Sequence, residues 1–240
     1  MKVLNDLLGY NDFKIYQDTG WFNFSLESVL LPNFIKINKN TKNILDLGTG
    51  NAPIPMILTT LTDAKIYGIE IQTECYELAK ESVSFNKLDN KITLINDNMK
   101  NLGKYFEPNF FDIIICNPPY FKLKDDSRLN DDIHKVIARH EKEIKLNEVI
   151  EIGKKYLNNK GKLALVHRTE RFVEVLEEMK KNNINPKRVQ FIYPRENSES
   201  NLFLIEGIKN GSDGLKIEKP LYIHDEEGNY LPHIKDIFRR

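Results

Sequence analysis

The sequence has 240 residues, no formal net charge and 40% hydrophobic content. That is enough for one substantial core, and it is too evenly balanced for a generally basic nucleic-acid coat. Cys75 and Cys116 lie far apart, the five histidines show no ligand spacing, and no apolar run approaches the ~20 residues of a membrane helix. The expectations are free thiols in a reducing compartment, no metal, no membrane span, and a monomeric, cytoplasmic protein. Asn5 and Asp6 break the apolar start at Val3-Leu4, so no signal peptide is expected.

Residues 1 to 24 mix polar residues with Tyr10, Phe13, Tyr16, Trp21, Phe22 and Phe24, with a turn signal at Asp18-Thr19-Gly20. They read as an aromatic flap packed on the domain. Ser25 suits the cap of a helix through Leu26, Val29, Leu30 and Phe34, and Glu27 in its first turn favours the helix dipole. Asn43 to Pro53 then reads as strand, glycine turn and helix start. Gly48 and Gly50 give a tight turn with no side chain to block a ligand, and Pro53 suits the first turn of a helix through Ile54, Ile57, Leu58 and Leu61. The third glycine of a dinucleotide fingerprint is absent, and the strand ends on Asp46. A carboxylate there repels a pyrophosphate but suits a cationic amino-acid group, which favours S-adenosylmethionine over a dinucleotide. The stretch resembles motif I of the class I methyltransferases.

Lys65 to Glu70 is a second strand ending in an acid, at the spacing expected of a carboxylate that holds ribose hydroxyls. Thr73 opens a helix through Tyr76, Leu78, Ala79, Val83 and Phe85. Lys91 to Ile95 is a third strand, followed by Asn96-Asp97-Asn98-Met99, which taken alone is an Asx-turn. Phe111 to Cys116 is a short β-branched run typical of a fully buried strand. Asn117-Pro118-Pro119-Tyr120 follows at its carboxyl end, where ligands bind in open α/β sheets. Two prolines end the ladder and leave acceptors facing outward: the Asn117 side-chain oxygen and the Pro118 carbonyl. With the flat face of Tyr120 beside them, they match an exocyclic amine on a planar ring. The bland reading is a loop after a strand, since Asn and Pro are common turn residues.

Residues 121 to 139 are polar and read as a mobile loop over the site, followed by Ala138-Arg139-His140-Glu141. Ile144 to Leu157 has helical periodicity, and Lys162 to His167 is a fifth strand. Thr169 caps a helix through Phe172, Val175, Leu176 and Met179, and Asn183 to Pro186 is a break. Val189 to Tyr193 and Leu202 to Ile208 read as a closing antiparallel pair, Leu221 to His224 as one more strand, and Tyr230 to Phe238 as a terminal segment.

Asn117 to Tyr120 resembles the signature of methyltransferases that act on planar amino groups: adenine N6, cytosine N4, guanine N2 and the glutamine amide. The longer stretches Phe22 to Leu31, Asn117 to Leu123, Ala138 to Glu141 and Pro220 to Ile223 resemble the bacterial tRNA adenine-37 N6-methyltransferase family (TrmN type). The resemblance implies a Rossmann-like α/β fold with a seven-stranded, mostly parallel sheet in the order 3-2-1-4-5-7-6. It implies one domain over residues 1–240, with a flap and helix over 1–40 and a catalytic core over 41–240. Asn117, Pro118, Pro119 and Tyr120 are then catalytic. Asp46, Gly48, Gly50, Glu70, Ile71, Asp97, Asn98, Met99 and Asn117 hold S-adenosylmethionine, with Asp97 accepting from the adenine amino group of the donor. The partner is a tRNA anticodon loop. Lys122, Lys124, Arg128, Arg139, Arg168 and Arg195 are candidates for its phosphates, although each taken singly reads as a solvated charge. The sequence departs from the family at two places: Glu27 stands where Asp is usual, and Asn51 where Thr is usual. Asn51 is expected to be tolerated. Glutamine methylation of a release factor, guanine-N2 methylation of ribosomal RNA, and a non-catalytic RNA-binding module with a relic cofactor site are the alternatives.

Overall fold

The computed structural model describes residues 1–8, 10, 12–18, 25–118 and 145–238. The chain opens with a hairpin of β1 (Lys2–Asp6) and β2 (Lys14–Asp18), paired from Lys2 with Asp18 to Asp6 with Lys14. The expected flap takes the form of this hairpin and the turn between its strands, with Tyr10 and Ile15 buried in the core. Helix α1 (Glu27–Phe34) follows, with Glu27 in its first turn. Ser25 is not its side-chain cap, because the cap position is Leu26 and the first turn closes through the Ser25 carbonyl.

Then come β3 (Asn43–Leu47), α2 (Pro53–Leu61), β4 (Lys65–Glu70), α3 (Thr73–Phe85), β5 (Ile92–Asn96), a 3-10 helix over Met99–Lys104 and β6 (Phe111–Cys116). Past residue 144 lie α4 (Leu146–Tyr156), β7 (Leu157–Arg168), α5 (Phe172–Lys181), β8 (Ile184–Tyr193), β9 (Leu202–Lys209), β10 (Lys216–Ile217), β11 (Leu221–Tyr222) and α6 (Pro232–Phe238).

The main sheet runs β10-β8-β9-β7-β6-β3-β4-β5, with β11 also on β8, which makes nine strands. Seven of them follow the expected order, with β9 the antiparallel member. Two short parallel strands, β10 and β11, lengthen the β8 edge beyond the seven expected. Three further expectations are corrected. Strand β7 begins five residues early, and β8 absorbs the expected break at 183–186, with Pro186 at a register irregularity. Thr169 opens a 3-10 turn and donates its hydroxyl to the Ser200 carbonyl rather than capping α5.

The parallel strands are buried on both faces, which is why they read as continuous apolar runs. In β6, Ile113 and Ile115 join the core under α1, α2 and α6. Ile114 and Cys116 point the other way, into the core under α4 and α5. Each such isoleucine contributes roughly 1.5–3 kcal/mol by burial. Truncating Ile114 to alanine costs about 2–5 kcal/mol, because the close-packed surroundings cannot collapse onto the gap. Both cysteines are free and buried.

Candidate active site

Register places the site. Leu47, the last residue of β3, pairs with Cys116, the last residue of β6. Gly48 and Asn117 therefore leave the sheet side by side, on strands that lie about 4.8 Å apart. On the other flank Leu47 pairs with Ile69, and Glu70 pairs with Asn96. Four strand ends thus stand in a row at the carboxyl edge: Asn96, Glu70, Leu47 and Cys116.

The turn between β3 and α2 takes a left-handed backbone at Gly48 (φ 68), Gly50 (φ 56) and Ala52 (φ 68). Glycine adopts this conformation without strain. The Gly48 and Thr49 N–H groups both donate to the Ile69 carbonyl, at 2.9 and 3.1 Å. Glu70 accepts the Gly50 N–H on Oε2 and the Gln72 N–H on Oε1, each at 2.9 Å, and is itself buried. The acid at the end of β4 therefore holds the turn as well as facing the edge.

Asp46 is 1% exposed. Its Oδ2 accepts the Thr49 hydroxyl at 2.6 Å, and its Oδ1 is buried with no partner among the described residues. Burial raises its pKa from 3.8 to about 7; the Thr49 hydrogen bond works against this and the nearby Glu70 carboxylate adds to it. An unpartnered buried carboxylate oxygen is costly and calls for a cation or a donor. Among the described residues the space above the turn is open: a Cβ built on Gly50 meets nothing within 4 Å. A ligand with a cationic head and a body needing close backbone approach fits these two observations. S-adenosylmethionine is such a ligand.

Asp97 lies at the end of β5, as expected, but the protein already serves it fully. Its Oδ1 accepts from the Asn98 N–H (2.7 Å) and Asn101 Nδ2 (2.6 Å), and its Oδ2 from Lys104 Nζ and the Tyr105 hydroxyl (both 3.0 Å). An ionised carboxylate offers about four acceptor positions, and four donors occupy them. The hydrogen bonds from Asn101 and Lys104, then those from Asn98 and Tyr105, hold this carboxyl well below the usual range. Asn98 caps the 3-10 helix through its Oδ1 and the Lys100 N–H (2.9 Å), and Met99 is buried. The Ile71 carbonyl accepts from Asn96 Nδ2 at 3.4 Å.

Asn117 is half-buried and Pro118 buried. Asn117 donates Nδ2–H to Ser28 Oγ at 3.2 Å, which ties the end of β6 to the first turn of α1. Ser28, Thr49 and Gln72 are neighbours that sequence reasoning did not single out, and Asn51 was noted there only as a departure from the family. For Thr49 the signal was available, as a hydroxyl three residues past a strand-end acid. On the adjacent strand, buried His167 lies two residues past Leu165, which pairs with Cys116. Burial first, then Arg171, lowers its pKa to about 4, so the ring is neutral near pH 7.

Arg168 ends β7, and Arg195 opens a turn closed by the Ser198 hydroxyl (2.9 Å) just past β8, so both stand at the same edge of the sheet. The remaining residues singled out from the sequence, Pro119, Tyr120, Lys122, Lys124, Arg128 and Arg139, lie outside the described residues, as do Trp21, Phe22, Phe24 and the loop at 121–139. Among the described residues no group of three or more His, Cys, Asp or Glu side chains is placed to hold a metal ion, and no helix is long and apolar enough to cross a membrane.

The family model for the methyltransferase small domain matches residues 26–188. The chain belongs to this family. Among curated relatives, the chain is similar to the tRNA1(Val) (adenine(37)-N6)-methyltransferase of Parabacteroides distasonis, with 25% identity over 206 residues, 85% of this chain and 84% of that one. Among solved structures it resembles a predicted O-methyltransferase of Agrobacterium tumefaciens, with TM-score 0.69, 18% identity, and coverage of 88% of this chain and 96% of that one. It also resembles the geranyl diphosphate C-methyltransferase of Streptomyces coelicolor, solved with Mg2+, geranyl diphosphate and S-adenosyl-L-homocysteine, with TM-score 0.57, 11% identity, and coverage of 76% and 79%. The two solved structures share the fold of this methyltransferase domain, a mostly parallel sheet with helices on both faces.

Proposed function

We propose that the protein transfers a methyl group from S-adenosylmethionine to the exocyclic N6 of an adenine in a tRNA anticodon loop, at position 37. The observation that carries this reading is the pairing of Leu47 with Cys116, which sets the glycine turn beside Asn117 and Pro118 at one sheet edge. The curated relative's activity on adenine 37 of a tRNA, together with the sequence Asn117-Pro118-Pro119-Tyr120, supports the choice of substrate.

Asp46, Gly48, Gly50, Glu70, Ile71, Asn98 and Met99 form the donor site in this reading. Asp46 faces the cationic end and Glu70 the ribose. Asp97 contributes through the turn it braces, and an adenine amino group reaching its carboxylate has to displace the exposed Lys104 or Tyr105. When bound, S-adenosylmethionine supplies a methyl carbon made electrophilic by its sulfonium.

The amine of adenine is a poor nucleophile because its lone pair is conjugated with the ring. The Asn117 side-chain oxygen and the Pro118 carbonyl accept its two N–H bonds and draw the nitrogen toward tetrahedral geometry, which turns the lone pair out of the ring plane. The surplus proton is acidic once the nitrogen has been methylated, so the site needs no strong general base. Tyr120 supplies a stacking face, a contact worth roughly 1–3 kcal/mol per base. The base has to leave its stack, and this costs least in a single-stranded loop. Arg168 and Arg195, on the same edge, are the candidates for phosphate contacts in this reading.

The test is methylation of unmodified tRNA transcripts with labelled donor, followed by nucleoside analysis. N6-methyladenosine is expected, and it should vanish from a transcript carrying guanine at position 37. Labelled N2-methylguanosine, or label in a release-factor glutamine but not in tRNA, would overturn the reading.

A further inference from the structure

The glycine turn is gripped from two sides. On one side Glu70 accepts the Gly50 N–H. On the other, Asn51, which is 7% exposed, donates Nδ2–H to the Tyr16 carbonyl in β2 at 2.8 Å. A carbonyl only accepts, so this contact fixes which end of the Asn51 carboxamide faces the hairpin. The Tyr16 N–H in turn donates to Ser82 Oγ on α3 at 2.9 Å. Two residues earlier Asn86, just past α3, serves both backbone groups of Lys14: its Oδ1 accepts the N–H at 3.0 Å and its Nδ2 donates to the carbonyl at 2.6 Å.

The outward edge of β2, which has no third strand among the described residues, is thus satisfied by side chains from the turn after β3 and from α3 and its end. A two-stranded hairpin is marginal alone, and this one is held to the domain by those side chains. The turn has the matching need. Its left-handed Ala52 is a strained conformation for a residue with a Cβ, and it persists only where the surroundings fix it.

We propose that Asn51 is a positioning residue of the donor site, coupling the N-terminal hairpin to the glycine turn so that donor binding and hairpin docking are one equilibrium. This rests on the reading that S-adenosylmethionine occupies the turn. Linkage makes the coupling reciprocal: whatever affinity the docked hairpin gives the donor, the donor returns as protection of the hairpin.

The experiment has three arms. In the intact wild-type protein, hydrogen exchange at the Lys14 and Tyr16 amides is followed with and without saturating S-adenosylhomocysteine; both amides should exchange more slowly with the ligand. In the second arm, calorimetry gives the ligand's dissociation constant for Asn51→Asp, which keeps the shape but turns an oxygen toward the Tyr16 carbonyl. Binding should weaken about tenfold or more, and ligand protection of the two amides should fall by a matching factor. Ser82→Ala, which leaves the turn untouched, should weaken binding about threefold or more and keeps the test open if Asn51→Asp fails to fold.

The third arm is Glu70→Ala. If the wild type binds no ligand, or Glu70→Ala binds as well as the wild type, the placement of the donor is wrong. If the wild type binds and Glu70→Ala does not, but the hairpin amides ignore the ligand and Asn51→Asp and Ser82→Ala bind within twofold of the wild type, the coupling is refuted and the donor site stands.

Discussion

Replacing Asp46 by asparagine separates what this carboxylate does for the fold from what it does for the donor. Asp46 ionises near 3.8 when free and near 7 in the folded protein, chiefly because burial disfavours the charge. Between those values the folded state holds a proton that the unfolded chain has lost. Stability therefore falls as pH rises through that window, by about 4 kcal/mol in all. Asp46→Asn removes the titration but buries an amide whose NH2 gains no clear partner, at a cost of about 1–3 kcal/mol. The net expectation at pH 8, without ligand, is a gain of about 1–3 kcal/mol, or ~2–10 °C in Tm for a chain of this size. The same substitution removes the anion proposed to face the donor's cationic end, so the dissociation constant for S-adenosylmethionine should rise about tenfold or more. In the wild type, donor affinity should fall by up to about tenfold per unit as pH drops below 7, with proton release on binding near pH 6.5. Thermal melts at half-unit steps from pH 5 to 8, and calorimetry in buffers of different ionisation enthalpy, measure both effects. Parallel melting curves for variant and wild type across that range would refute the assignment of the slope to Asp46.

Asn117→Ala should lower turnover on total tRNA at least about a hundredfold while donor affinity changes much less, because the proposed acceptor of the amine is lost and the turn is not; an equal loss of donor binding would count against its role. Gly68→Ala should weaken donor binding and lower Tm, since a Cβ there lies 2.9 Å from both Thr49 Cγ2 and Leu94 Cδ2. Thr49→Ser in that background removes the methyl, keeps the hydroxyl for Asp46, and should restore part of the affinity; no restoration would mean the damage runs through Leu94 or through the retained hydroxyl oxygen at 3.0 Å. Arg188→Ala should cost about 2–3 kcal/mol in urea unfolding with donor affinity unchanged. Arg188 pairs with Glu218 (2.9 Å) and buried Glu206 (3.6 Å), donates to the Phe34 carbonyl (3.2 Å), and lies over the Phe34 ring (4.5 Å), in the middle of β8 and away from the strand ends that form the site. A cost under about 0.5 kcal/mol would show the network to be solvent-relaxed.

The parallel core was legible because its strands are buried on both faces, so Ile44 to Leu47 and Phe111 to Cys116 announce themselves as apolar runs between turn residues. The hairpin was not. In β1 only Val3 is even half-buried, and the pairing of Lys2–Asp6 with Lys14–Asp18 is read from register and from side chains such as Asn86 and Ser82, far away in sequence. The early start of β7 was hidden for a similar reason: Asn158, Asn159, Lys160 and Gly161 look like a turn, and tertiary pairing overrides that local signal. In the site, Asp46, Glu70 and Asp97 were recognisable by type and position. What the protein itself does with their oxygens was not. A sequence shows a carboxylate at the end of a strand; it does not show that Asp97 is already met by four donors while Asp46 keeps a buried oxygen with none among the described residues.

The site depends on register more than on any one side chain. Side chains alternate along a strand, so Ile115 lies in one core and Cys116 in the other, and Asn117 leaves the sheet from a fixed phase of that alternation. Slipping β6 by one residue against β3 would bury Ile113 where Ile114 now sits and turn Asn117 away from Ser28 and from the glycine turn. Both faces are close-packed, so such a slip exchanges the partners of every residue from Ile113 to Cys116 at once. The same apolar pattern that stabilises the centre of the sheet therefore fixes the separation between the glycine turn proposed to receive the donor and the oxygens proposed to receive the amine.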